Sequence, residues 1–97
     1  ALAVQSPGAD GPEEVTGTPT FRWEDDSSED EYVVEVFNAF GEIIWNTSIP
    51  GSSGQDPSVV YDGPALESGH YYQFRATSFK GAALSRTEDL KGVFFLP

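Results

Sequence analysis

Cysteine and methionine are both missing from this 97-residue chain. Without cysteine, no disulfide can stabilise the fold, and neither thiol chemistry nor a thiolate metal site is available. No apolar run approaches the roughly 18 residues that a membrane-spanning helix needs, and no charged segment precedes an apolar one as in a signal peptide. Because the sequence begins at Ala1, we expect a processed product or a segment of a longer protein, whose targeting signals lie outside it.

Basic residues are scarce as well. Sixteen acidic and five basic side chains give a formal net charge of −11. Such a charge repels phosphate backbones and anionic membrane surfaces. We therefore expect a protein or a neighbouring domain as partner, with no nucleic acid and no direct membrane insertion. The same acidity suits a divalent cation, a basic partner or simple solubility.

No helical periodicity extends beyond one turn, whereas short alternating segments recur between turn residues. About seven such segments, with turn signals every 8 to 12 residues, are typical of a Greek-key sandwich. The sequence therefore predicts an all-β fold, a seven-stranded Greek-key immunoglobulin-like sandwich. Residues 1–97 are expected to form a single domain that buries roughly 65% of its unfolded surface around one core.

The strongest strand signal lies in residues 66–78, with the sequence LESGHYYQFRATS. Alternate positions predict that Tyr72, Phe74, Ala76 and Ser78 face the core and that the residues between them face out. We expect this segment to be the central strand of the sandwich. Leu66, followed six residues later by Tyr72, also matches a tyrosine corner, in which the phenol bonds to nearby backbone while the ring fills the core.

Weaker patterns predict the remaining strands. The alternating aromatic and β-branched residues in 18–23 and 32–37 are the clearest, and we place Trp23 at the centre of the core. Ser85 and Glu88 have the spacing of a capping box, which predicts at most a one-turn irregularity, a single helical turn ending near Gly92. The other predictions are an edge strand in 1–6, continuing at 15–16; inward Phe21, Tyr32, Val34 and Val36; a hairpin loop at 38–41; strands at 43–45 and 58–61; and a last strand at 93–96 with Phe94 and Leu96 inward.

These segments resemble the fibronectin type III-like modules of the immunoglobulin-like group. TPTFRW (18–23), YVVEV (32–36) and the stretch from Leu66 through Tyr72 to Ala76 match the second, third and sixth strands in order and spacing. The turn at 6–11 is similar to bacterial versions, which occur in secreted enzymes, lipoproteins and surface proteins. Ser68, where many members have proline, and the less regular segment 86–97 depart from the pattern. The resemblance implies an extracytoplasmic module, secreted, periplasmic or on the cell surface, and leaves its activity open.

Six carboxylates occur in residues 24–31, interrupted by Ser27 and Ser28. Calcium binds 6 to 8 oxygen ligands, which closely spaced carboxylates can provide. The candidate ligands are Asp25, Asp26 and Asp30. The spacing does not fit an EF-hand, which needs glycine at the sixth loop position and glutamate at the twelfth. The alternative is a solvated loop that binds no metal, and a cofactor other than calcium is not expected.

The outward positions of two predicted strands indicate a possible partner face. Val33 and Phe37 on one strand and Tyr71 and Arg75 on the other are expected to form an apolar strip with an arginine beside it. Trp45 is a candidate neighbour of this strip. The strip predicts docking of a protein or, with exposed Trp45, Tyr71 and Phe37, binding of carbohydrate; ordinary cross-strand packing is the alternative.

Residues for catalysis are few. His70 is the only histidine and lies in a predicted turn, and no serine occurs in a GxSxG context. The clustered acids share one loop, whereas paired carboxylates for glycoside hydrolysis must flank a cleft. We therefore expect no enzyme. The expected function is that of a structural or protein-interaction module of a secreted or cell-surface multidomain protein, and the alternative is a module that binds calcium or carbohydrate.

Overall fold

The structure, a computed structural model, describes residues 1–51 and 54–97. This part of the chain contains nine strands and no helix. It therefore has no helix long and apolar enough to cross a membrane. The strands are β1 (Val4–Ser6), β2 (Glu13–Glu14), β3 (Thr20–Trp23), β4 (Glu31–Asn38), β5 (Ile43–Pro50), β6 (Ser58–Val60), β7 (Tyr71–Lys80), β8 (Ala82–Arg86) and β9 (Val93–Phe95).

The strands form two sheets. The smaller sheet has the order β1-β3-β6, and the larger has the order β2-β9-β7-β4-β5 with β8 also paired to β7. On one side, β7 pairs with β4 along almost its whole length. On the other side it pairs first with β9 and then with β8. The prediction that residues 66–78 contain the central strand is therefore confirmed for the larger sheet.

An aromatic core joins the two sheets in the manner of a β-sandwich. The rings of Phe21 in the smaller sheet and Phe74 in the larger stack with their centroids 4.7 Å apart. Trp23 meets Tyr32 edge-on at 5.3 Å. The predicted inward positions are confirmed, since the following residues are all buried: Phe21, Trp23, Tyr32, Val34, Val36, Tyr72, Phe74, Ala76, Ser78 and Phe94. Leu96 is partly buried and packs against this core.

Tyr72 fixes the turn that leads into β7. The backbone N–H of Glu67 donates a hydrogen bond of 2.9 Å to the Tyr72 hydroxyl oxygen. The Tyr72 ring stacks on Phe94 at 5.7 Å, and Leu66 packs against the same core. The predicted tyrosine corner is therefore confirmed: one side chain ties a surface turn to the core.

The helical turn predicted from Ser85 and Glu88 is wrong. Ser85 lies within β8 and pairs with Ser78, whose hydroxyl oxygen accepts the Ser85 N–H at 3.1 Å. Pairing with β7 satisfies the backbone there, so the local capping signal is overridden. A non-helical turn follows instead, in which the Lys91 N–H bonds to the Glu88 carbonyl at 3.2 Å.

The first strand also differs from its prediction. β1 pairs with β3, but the chain then crosses to the larger sheet, where β2 pairs in parallel with β9. β2 occupies Glu13–Glu14, ahead of the predicted 15–16, and the Val15 N–H still bonds to the Phe95 carbonyl at 2.9 Å. In addition, β5 continues to Pro50, whereas the sequence pattern had placed its end at Trp45.

Candidate functional site

The outer face of the larger sheet carries apolar side chains that the core does not use. In the register of the sheet, Phe37 on β4 lies opposite Ile43 on β5 and opposite Gln73 on β7. Gln73 in turn lies opposite Val93, and Tyr71 lies opposite Phe95. Phe37, Ile43, Tyr71, Val93 and Phe95 are named the outer patch. It spans four adjacent strands at one end of the sheet.

A shallow depression of about 420 Å³ lies within this patch. Its lining includes Phe37, Ala39, Tyr71, Gln73, Arg75 and Val93. The structure thus brings together three of the four predicted face residues. Val33 lies further along β4, opposite Ser48 and Thr77, and does not line the depression. Tyr71 and Ile43 remain 49% and 50% exposed, which leaves their rings and methyl groups available for contact.

The aromatic rings of the patch contact neighbouring side chains that hold them in place. The Arg75 guanidinium lies 5.8 Å from the centre of the Phe37 ring, a cation–π distance. It also pairs with Asp89 at 3.6 Å. The Tyr71 and Phe95 rings lie 5.0 Å apart. These contacts limit the freedom of the side chains, so less entropy is lost when a partner covers them.

Gln73 holds the turn that borders the patch. Its side-chain amide nitrogen donates hydrogen bonds of 2.8 Å to the backbone carbonyls of Asp89 and Lys91. The acid of Asp89 also pairs with Arg86 at 3.7 Å. The turn that leads to Val93, a lining residue of the depression, is therefore fixed by hydrogen bonds to the sheet itself.

The interpretation of Trp45 as an exposed neighbour of the strip is wrong. Trp45 lies opposite Val36 in the register, which places it on the inner side of β5. Its ring meets Tyr61 edge-on at 4.9 Å and lies 6.2 Å from Phe21. The sequence pattern could not settle this orientation, because a bulge between Val36 and Phe37 shifts the register of β5 by one residue.

The acidic loop at residues 24–31 is tied to the core through Tyr32. The Tyr32 hydroxyl accepts the Asp26 N–H at 2.6 Å and donates to an Asp25 carboxylate oxygen at 2.7 Å. Asp30 contributes backbone contacts: its N–H bonds to the Phe79 carbonyl, and its carbonyl accepts the Gly51 N–H. Glu31 is already the first residue of β4.

Asp26 bonds to a buried serine. Its carboxylate accepts the hydroxyl of the fully buried Ser78 at 2.7 Å and the hydroxyl of Ser28 at 2.9 Å. The bond from Ser78, followed by those from Ser28, lowers the pKa of Asp26 below its ordinary value. Burial raises the pKa of Tyr32. In the sequence, the signal for the contact between Asp26 and Ser78 is a polar serine at an inward position of a strand.

The metal hypothesis is not supported by the arrangement of side chains. In residues 1–51 and 54–97, no group of three or more His, Asp or Glu side chains is arranged to hold a metal ion. The carboxylates of Asp25 and Asp26 accept hydrogen bonds from Tyr32, Ser28 and Ser78. Calcium binding by Asp25, Asp26 and Asp30 stays a prediction.

His70 lies in the exposed turn before β7, as predicted. Its Nε2 atom is 3.3 Å from a Glu67 carboxylate oxygen, and both side chains are largely exposed. A depression of about 490 Å³ beside this pair is lined by Phe40, Glu42, Ile44 and Pro64 among others. Among the lining residues that lie in 1–51 and 54–97, none is a serine, threonine or cysteine that could serve as nucleophile.

The negative charge is concentrated in one segment of the chain, a feature that the sequence reasoning missed. Residues 24–74 contain eleven Asp and Glu residues and no Lys or Arg. The remaining five acidic and five basic residues cancel, so this segment accounts for the whole net charge of −11. It contains β4, β5 and β6 and ends within β7. The signal was present in the spacing of the basic residues along the chain.

Comparison with protein-family models, curated proteins and solved structures found no match to this chain. The function is therefore inferred from the outer patch, the acidic loop and the distribution of charge.

Proposed function

We propose that this protein is a non-catalytic interaction module that binds a protein partner or a neighbouring domain through the outer patch. The observation that carries the proposal is the set of supported but exposed apolar side chains around the depression on the larger sheet. The partner surface has an apolar side chain that enters the depression and basic side chains around it. Those basic groups complement the carboxylates of Glu31 and Glu35 on β4 and of Glu42 just before β5.

The composition of the patch supports docking. Aromatic residues dominate the binding energy of protein interfaces, especially where they surround a pocket. Here Phe37 and Tyr71 border the depression and are held by Arg75 and Phe95 respectively. Each ring is therefore held in its orientation before a partner binds, so less conformational entropy is lost on binding.

We also propose a fibronectin type III-like fold in an extracytoplasmic protein. Counting β1 with β2, and β8 with β9, as two interrupted strands reduces the nine strands to the seven of a Greek-key sandwich. The order β1-β3-β6 against β9-β7-β4-β5, together with the tyrosine corner at Tyr72, agrees with that arrangement. The resemblance of the strand sequences to bacterial members supports an extracytoplasmic location, which fractionation of the source cells tests.

A test of docking compares wild-type protein with the double variant Phe37→Ser and Tyr71→Ser. Both proteins are immobilised, and proteins of the extracellular fraction of the source organism are recovered on them. We expect a partner whose recovery falls at least about tenfold in the double variant, since two central aromatic residues contribute about 2 kcal/mol or more each. Thermal melts confirm that the variant is folded.

Val60→Ser is the matched control. Val60 is 57% exposed on β6 of the smaller sheet, so this substitution removes an exposed apolar side chain from a different surface. Recovery of the partner should be unchanged in this variant. Equal recovery on wild-type protein and on the patch variant would exclude the outer patch as the docking surface.

The alternative function is a ligand-binding module. Clustered carboxylates at residues 24–31 keep calcium as one candidate ligand. Carbohydrate binding is less well supported, because Trp45, the largest ring of that hypothesis, packs inside against Tyr61. Phe37 and Tyr71 remain for stacking on a sugar, and loss of sugar binding in their serine variants would separate this function from protein docking.

A further inference from the structure

β5 is a long edge strand with no charged side chain. It forms one edge of the larger sheet and pairs only with β4. Its eight residues, IIWNTSIP, include no Asp, Glu, Lys or Arg. Within residues 1–51 and 54–97, no backbone hydrogen bond joins β5 to any strand other than β4. Exposed edges of this kind offer unpaired N–H and C=O groups to another chain.

The other edges of the described sheets are short or covered. β2, at the far edge of the larger sheet, consists of two glutamates. The end of β8 is covered by Leu2, whose N–H bonds to the Arg86 carbonyl and whose carbonyl accepts the Glu88 N–H. β1 and β6 have three residues each. Short strands and charged side chains are the usual protection of an edge, so β5 is the longest uncharged edge strand among the described residues.

The sheet register shows which groups of β5 are open. The Phe74 N–H and the Ala76 carbonyl bond to the segment that contains β8 and β9. Because backbone directions alternate along antiparallel strands, Gln73, Arg75 and Thr77 bond to β4, and the intervening β4 residues Tyr32, Val34 and Val36 bond to β5.

The partners of those β4 residues are Ile49, Thr47 and Trp45, whose backbone groups therefore point at β4. Asn46 and Ser48 lie between them, so their N–H and C=O groups point away from the sheet.

Charge selects the kind of chain that can pair there. Glu35 lies opposite Asn46, Glu31 lies opposite Pro50, and Glu42 immediately precedes β5. No Lys or Arg occurs between residues 24 and 74. A second copy of this protein would bring its own charge of −11 to the same place, whereas a basic segment is attracted.

We propose that β5 accepts an extended segment of a partner protein as an added antiparallel strand, one in which basic residues alternate with aliphatic or threonine residues. The basic side chains lie on the outer face near Glu35, and the aliphatic ones continue the inner row of Trp45, Thr47 and Ile49. Backbone bonds to Asn46 and Ser48 supply affinity. The inference extends the proposed interaction function to a second surface, which has its own residues and its own test.

The test uses the synthetic peptide KVKTKVKT, as long as β5, and amide hydrogen exchange of the isolated protein. Alone, the protein should exchange the Asn46 and Ser48 amides fast and the Thr47 and Ile49 amides slowly. Peptide at about ten times its Kd should slow exchange at Asn46 and Ser48 about tenfold, because only about a tenth of the protein molecules then carry no peptide. The effect should decrease with added salt.

Two control peptides separate pairing from charge. One carries a methyl group on the backbone nitrogen of each lysine, which removes the N–H groups that would face β5. The other has glutamate in place of each lysine. Neither should protect Asn46 or Ser48. Protection by the methylated peptide would overturn strand addition, and protection by the glutamate peptide would overturn the charge selection.

Ser48→Pro is the matched variant, since proline is tolerated on an edge strand where the N–H faces solvent. It should retain its melting temperature and lose protection at Asn46 by KVKTKVKT. Asn46→Lys, which keeps the backbone intact, should weaken the same peptide by repulsion. The Phe37→Ser and Tyr71→Ser variant should bind the peptide as wild type does, so failure of patch docking and failure of strand addition give different results.

Absence of protection at millimolar KVKTKVKT would overturn the proposal. So would slow exchange of Asn46 and Ser48 in the protein alone that becomes fast on dilution, because that result identifies a second copy of the chain as the occupant of the edge.

Discussion

Two adjacent tyrosines on β7 have opposite surroundings. Tyr72 is buried and accepts a hydrogen bond from the Glu67 N–H at 2.9 Å, whereas Tyr71 is 49% exposed on the outer patch. We expect Tyr72→Phe to lower the free energy of unfolding by about 1 kcal/mol, the typical net contribution of one hydrogen bond. Urea unfolding measures this change.

Tyr71→Phe is the control for that experiment. It removes the same atom from a side chain that is 49% exposed and lies outside the tyrosine corner, so the unfolding free energy should change by less than about 0.5 kcal/mol. Equal losses for both substitutions would mean that the bond to Glu67 does not stabilise the fold.

Asp26 makes the stability of the protein depend on pH. The Ser78 hydroxyl and then Ser28 lower its pKa in the folded state, so the unfolded state binds a proton more readily. The stabilisation is present above the unfolded pKa, near 3.8, and is lost as the pH falls through the folded value. We expect Asp26→Asn to reduce the difference in unfolding free energy between neutral pH and about pH 3.

Ser78→Ala tests whether the buried serine is the cause. It should reduce the same pH-dependent difference, and adding it to Asp26→Asn should give little further reduction, because the Ser78 hydroxyl acts on the pH dependence through the Asp26 carboxylate. Fully additive effects would show that Ser78 acts on stability independently of Asp26.

At the scale of the elements, the break between β8 and β9 depends on Gly92. Its φ of +85° lies in the left-handed region, and a Cβ there would come within 2.6 Å of the Phe74 carbonyl oxygen. We expect Gly92→Ala to destabilise the protein by more than about 2 kcal/mol, since steric overlap with backbone adds to conformational strain of about 1 to 2 kcal/mol. Chemical denaturation gives the value.

Gly69→Ala separates the two contributions. Gly69 has a similar φ of +77°, but no atom lies within 4 Å of a Cβ built there. Its substitution should therefore show the conformational strain alone. If the two alanine variants lose the same stability, the close approach of Gly92 to Phe74 has no energetic importance.

The elements differ in how far the sequence predicts them. The inward alternation of Phe21 and Trp23, and that of Tyr72 and Phe74, follows from local period-2 patterns and is confirmed. β8 was missed because the capping-box spacing at Ser85 is a local signal, while its pairing with β7 is a contact between strands. β5 was cut short because polar side chains from Asn46 to Ser48 hide its alternation.

The candidate site shows the same division. Phe37, Tyr71 and Arg75 were predicted together, because each faces out on a strand whose inner face is clearly apolar. Ile43, Val93 and Phe95 were not predicted as members of the patch. Their inclusion depends on register between strands and on the bulge beside Phe37, neither of which is written in a single local pattern.

For the whole molecule, the concentration of charge predicts a response to salt. Residues 24–74 contain eleven carboxylates and no Lys or Arg, so like charges in this segment repel one another in the folded state. Raising sodium chloride from about 10 to 150 mM should therefore increase the melting temperature by a few degrees, as screening shortens the range of the repulsion. A melt followed by tryptophan fluorescence measures the shift.

Calcium and magnesium chloride at equal concentration distinguish screening from a specific site. Screening alone raises the melting temperature equally with either salt, and this is the result we expect from the hydrogen-bonded state of Asp25 and Asp26. A larger rise with calcium, lost in Asp30→Asn, would show binding to the folded state at the acidic loop.

Two of the contacts that join the beginning of the chain to its last third are parallel strand pairings. β2 pairs in parallel with β9, and Leu2 forms a parallel bridge with Thr87. Tension applied between the two ends of the chain pulls the members of each pair in opposite directions along the strand axis. The hydrogen bonds of a pair are then sheared together, and do not open one after another like a zipper. We therefore expect the domain to resist stretching by its ends more strongly than its two-residue strand β2 would suggest.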